Sequence, residues 1–89
     1  MDEATFRHEM EAAGRPVTVW GNRPGDVYTR HSHTYRKYLC CLEGSIAFVT
    51  PEGEVELEAG GTMVLEAGTP HSARVGDAGT RCAEAHERP

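Results

Sequence analysis

From Val17 onward, turn chemistry interrupts this chain about every 6–12 residues, which confines helix to the first stretch and makes the rest strand and turn. The breaks are Gly21-Asn22, Arg23-Pro24-Gly25-Asp26, Gly44, Pro51-Glu52-Gly53, Gly60-Gly61, Ala67-Gly68-Thr69-Pro70 and Gly76-Asp77-Ala78-Gly79. Between them run short segments rich in β-branched and aromatic residues. Val17–Trp20, Val27–Thr29, Tyr35–Glu43, Ser45–Thr50, Glu54–Glu58, Thr62–Glu66, His71–Val75 and Thr80 to about His86 are the expected strands. Glu54-Val55-Glu56-Leu57-Glu58 alternates cleanly, with charge on the outward face. Gly76–Gly79 is expected to make a last hairpin. Such a series predicts an all-β fold, a closed barrel or sandwich.

The exception is the amino terminus. Residues 2 to about 13 read as a short amphipathic helix, with Ala4, Phe6, Met10 and Ala13 on its apolar side. Gly14 stands where a C′ residue would stop it, and Pro16 follows. Phe6 and Met10 are expected to pack on one end or face of the barrel. The organisation is one domain: a helical segment over 1–15, a barrel over 16–86 and a frayed end over 87–89.

An 89-residue chain has room for one core and buries only about 60–65% of its unfolded surface, so barrel closure, a metal or a dimer would add stability. The net charge is −5 and the basic residues are scattered, which argues against nucleic acid or an anionic membrane as partner. No apolar run approaches the roughly 18 residues of a membrane span. Met1-Asp2-Glu3 lacks the character of a signal peptide. Three cysteines, two of them adjacent, make no disulfide framework, so a reduced, cytoplasmic setting is expected.

The chemistry sits in Arg30-His31-Ser32-His33-Thr34-Tyr35-Arg36-Lys37. On a strand, His31 and His33 would share a face, and two neutral imidazoles on one face suit a transition metal. Lys37 falls on the same parity. His71 lies about forty residues on, beside a glycine-containing turn where strands approach closely.

Gly25-x5-His31-x-His33-x3-Lys37-x6-Gly44 is similar to the first cupin motif, Gly-x5-His-x-His-x3,4-Glu-x6-Gly. Gly60-x5-Glu66-x-Gly68-x2-His71-x3-Val75 resembles the second, Gly-x5-Pro-x-Gly-x2-His-x3-Asn. The motifs stand in the right order and cover about half the chain. Lys37 replaces the motif glutamate, Glu66 the proline and Val75 the asparagine. The resemblance implies a small jelly-roll β-barrel with a mononuclear metal site inside one end. His31, His33 and His71 carry over as ligands, and the fourth ligand does not. Three-histidine cupins include thiol and diketone dioxygenases, so the resemblance admits oxygenase or isomerase chemistry on a small molecule.

Three arrangements follow from the lysine. The histidines hold one divalent transition metal (iron, zinc, nickel, copper or manganese), with Lys37 beyond it and free to bind a substrate carboxylate. Or Lys37 takes the metal's place, and the pocket is a non-catalytic module for an anionic small molecule. Or the histidines are packing residues of an interaction domain. The first is preferred because keeping all three imidazoles without a metal leaves several buried polar groups needing partners. Tyr28, Tyr35 and, by parity, Cys41 are expected at the cavity as substrate contacts. For Cys41 the simpler reading, a small buried hydrophobe, is the preferred one. His8 and His86 are expected to be exposed, and Glu66 to be a solvated turn carboxylate. A homodimer is expected, since exposed strand edges need covering and cupins commonly pair.

Overall fold

The computed structural model describes residues 1–87. One helix, α1 (Glu3–Ala12), precedes six strands: β1 (Val17–Asn22), β2 (Val27–His31), β3 (Arg36–Thr50), β4 (Gly53–Glu58), β5 (Thr62–Leu65) and β6 (His71–Glu87). Every pairing is antiparallel. β3 and β6 run against each other for most of their length, and each changes its outer partner halfway. β6 pairs with β2 near Arg74 and with β1 from Thr80 to Ala85. β3 pairs with β5 from Lys37 to Cys40 and with β4 from Ser45 to Thr50. Two layers therefore share β3 and β6, as a jelly roll requires.

The layers face each other across one core. Leu39, Cys41, Leu65 and Cys82 from one half meet Ile46, Phe48, Leu57, Ala73 and Val75 from the other, with Trp20 and Met63 packed alongside. Neighbouring positions on the same strands point outward: Cys40, Ala83 and Ala85 form the floor on which Phe6 and Met10 of α1 pack. The helix thus covers one outer face rather than an end. Asp2 caps its start, accepting a bond from the Thr5 N–H at 2.8 Å. At its end Gly14, at φ 77°, lets the Gly14 and Arg15 N–H groups bond back to Glu11 and Met10 carbonyls. That paired pattern is a Schellman stop.

Two expected breaks are not breaks. β3 runs unbroken through Gly44, and β6 runs unbroken through Gly76–Gly79, where a hairpin was expected. The glycines serve close approach instead. A Cβ on Gly44, which has φ +70°, would lie 1.9 Å from the Gly79 carbonyl oxygen, and one on Gly76 would lie 2.0 Å from Ser45 Oγ. Register shifts between Cys41 and Glu43 and between Gly44 and Ile46 bend the pair here, so both strands pass from one layer to the other without ending. Glu87, expected at the start of a frayed end, is the last residue of β6 and pairs with Arg15 and Arg36. Arg88 and Pro89, where fraying was also expected, lie outside the described residues. No helix among the described residues is long and apolar enough to cross a membrane.

Candidate metal centre

His31 is the last residue of β2 and stands opposite His71, the first residue of β6. His33 is not on a strand; it lies in the connection between β2 and β3. The strand-parity argument for the pair therefore does not apply; the connection, not a shared strand face, brings His33 to His31 and His71. A bond from the Gly68 N–H to the His33 carbonyl, 2.7 Å, ties this connection to the turn that carries His71. The ring centroids are 4.4 Å apart for His31 and His71, 4.8 Å for His31 and His33, and 5.3 Å for His33 and His71. One ring nitrogen from each lies within 4.8 Å of the others.

The opposite nitrogens fix which atoms those are. His31 Nδ1 lies 2.6 Å from the Thr29 carbonyl and His71 Nδ1 lies 3.0 Å from the Thr69 carbonyl. A carbonyl only accepts, so both Nδ1 atoms carry the proton and both Nε2 atoms present a lone pair. His33 Nδ1 meets the Tyr35 hydroxyl at 3.2 Å. Its Nε2 is buried and has no hydrogen-bond partner. A buried nitrogen without a partner is costly, and a metal satisfies one where two further bare nitrogens converge. The donor set thus fits a divalent transition metal. Burial, with a smaller push from the Lys37 ammonium, lowers the imidazole pKa of His33 and His71, which keeps both neutral and able to ligate.

A cavity of about 270 Å³ opens beside the cluster, lined by Trp20, Tyr28, Phe48, Ala73, Lys37 and Glu84 besides the three histidines. Of the expected contacts, Tyr28 and Lys37 line it; Tyr35 and Cys41 do not. Tyr35 stands behind His33, its ring stacked between those of His33 (5.0 Å) and His86 (4.1 Å). Cys41 has the inward parity expected of it but lies in the packed core, where its thiol meets the Glu43 carbonyl at 3.4 Å. Lys37 lines the cavity beside the histidines and is paired with an acid. Its Nζ lies 3.3 Å from Oε1 of Glu84.

Glu84 is the residue that the sequence did not point to. It is buried at 8% exposure, and Trp20 Nε1 donates to the same Oε1 at 2.6 Å while His86 Nε2 bonds to Oε2 at 2.6 Å. Its signal was faint: an acid on the same parity as Thr80 and Cys82, between two alanines. His86 is exposed as expected, and its ring is also engaged by this bond and by stacking on Tyr35. His8 is exposed as expected, and Glu66 is an exposed carboxylate paired with Arg36.

A cupin-domain family model matches residues 18–82. A comparison with curated protein sequences returns no relative. Among solved structures, a Rhizobium leguminosarum protein of unknown function superposes with a TM-score of 0.79 at 16% identity, over 86% of this chain and 73% of that one. A cupin-2 domain containing protein from Shewanella frigidimarina gives 0.71 at 15%, over 83% and 71%. A variant of Bacillus subtilis oxalate decarboxylase gives 0.73 at 17%; there the chain covers 81% of itself but only 20% of that protein. The likeness at these identities is one of fold. With the family model spanning most of the chain and the fold shared, this protein belongs to the cupin family.

Proposed function

We propose that His31, His33 and His71 bind one divalent transition metal, and that the metal presents open positions to a small oxygen-donor anion in the adjoining cavity. The observation that carries this reading is the buried, unpartnered Nε2 of His33 beside two imidazoles whose Nδ1 atoms are already bonded. Charge arithmetic names the ligand class. Three neutral imidazoles contribute nothing, and the Lys37–Glu84 pair sums to zero, so a divalent ion keeps its full charge and favours an anion. The metal would act as a Lewis acid on that ligand. The protein's own residues hold it: Trp20 and Phe48 offer apolar walls, and Lys37 offers ammonium N–H donors beyond the one aimed at Glu84. Conversion of the bound anion, of oxygenase or isomerase type, is the enzymatic form of this reading.

Iron, zinc, nickel, copper and manganese all suit imidazole donors. The oxalate decarboxylase that shares this fold is described as holding Mn(II) centres, which supports a metal in such a barrel. The metal-free alternative, an anion-binding module with Lys37 in the metal's place, needs that ammonium among the imidazoles, whereas its partner is Glu84. We also propose a homodimer, because β1, β2, β4 and β5 each pair on one side only among the described residues, and a cytoplasmic setting, because Cys40, Cys41 and Cys82 are free thiols.

The test is a metal titration of tag-free, metal-stripped protein followed by elemental analysis. One equivalent of metal in the natural protein and none in His71→Ala is the expected result. If no transition metal binds after reconstitution, the reading fails.

A further inference from the structure

The acid that cupin motif 1 places on β3 is absent at Lys37, yet the cavity still contains a carboxylate. It comes from β6. Glu84 stands opposite Leu39 in the β3–β6 register, two positions along from the Lys37–His86 pair, and shares the inward parity of Cys82. It lines the same cavity of about 270 Å³ as the three histidines. Its position is fixed on both oxygens: Trp20 and Lys37 hold Oε1, and His86 holds Oε2. The Lys37 and Glu84 side chains are only 16% and 10% exposed, so solvent screens little of either charge.

The geometry points to Glu84 as the cavity's metal-tuning carboxylate, relocated from β3 to β6, with Lys37 as the counter-charge that masks it. This rests on the reading that His31, His33 and His71 bind the metal. Without the lysine, a fixed anion would face a divalent ion across a small, poorly screened space and tighten its binding. Without the glutamate, a cation would face it and weaken its binding. The pair therefore holds the site at intermediate affinity. A structural strut would behave otherwise: breaking it from either side would harm the site in the same direction.

Zinc alone is the probe, measured by isothermal titration on metal-stripped full-length protein at neutral pH. Lys37→Met should bind zinc about tenfold more tightly and Glu84→Gln about tenfold more weakly, with the double variant near the natural affinity. Lys37→Gln keeps a donor for Glu84 without the charge and carries the same expectation, should the methionine variant fail to fold by circular dichroism. Zinc affinity that falls, or stays level, in the Lys37 variant that folds overturns the proposal while leaving the triad intact. Absence of zinc binding in the natural protein overturns the triad reading beneath it.

Discussion

His33 is the most informative residue of the site. Its imidazole is half-buried, bonded on one side to the Tyr35 hydroxyl and bare on the other. Tyr35, expected to line the mouth, is thus a positioning residue that fixes the ring. Tyr35→Phe should leave the fold intact and weaken metal binding about tenfold, as loss of a hydrogen bond behind a ligand commonly does; a titration beside the natural protein checks it. The lowered pKa values of His33 and His71 also have a stability consequence. In the metal-free protein both rings take up protons more readily unfolded than folded. The contribution is complete above the unfolded value, near 6.5, and is lost as pH falls below it towards the lowered folded values. Urea melts of metal-free protein should therefore weaken between about pH 7 and pH 5.5, and weaken less in His71→Gln. Carboxylates such as Glu87, lowered by its Arg15 partner, act only in a more acid range. The three histidines and Lys37 were legible in the sequence because ligand spacing is a local pattern. Glu84 was not, because its partners Trp20 and Lys37 are 64 and 47 positions away along the chain.

At the scale of elements, the strands were legible and their continuity was not. Glycine reads as a break because it is the usual turn residue, but Gly44 and Gly79 instead let two bent strands touch at backbone distance. Gly44→Ala meets both a left-handed φ and a carbonyl oxygen in the way, so it should destabilise by about 2–4 kcal/mol in urea unfolding. The helix and its Gly14 stop were legible; the Asp2 cap came from the structure. Phe6 is 2% exposed on the outer face, where it covers Cys40, Ala83 and Ala85. Phe6→Ala should cost about 3–5 kcal/mol. Zinc affinity should change little, because this packing lies on the opposite side of the sheet from the histidine cavity. Affinity measured at a temperature where the variant is still folded separates the two effects.

Across the whole molecule, burial decides what the remaining polar groups can do. Cys40, Cys41 and Cys82 are free and fully buried, and burial pushes the Cys82 thiol up to about 12. Native protein at neutral pH should resist alkylation on all three and react only on unfolding, which mass spectrometry of labelled protein would record. The sequence by itself determined the periodicities: one helix, short inward-and-outward strands, two histidine segments and the cupin order of motifs. These are set within a few residues of the chain, by side-chain direction and turn chemistry. Only the tertiary structure decided what lies across a strand boundary. It made two pairs of expected strands into two continuous ones, carried His33 to its neighbours through a connection, and put a carboxylate from β6 against the lysine of β3. Such pairings depend on register between strands distant in sequence, and register is settled when the two inner faces pack together, not by any one segment.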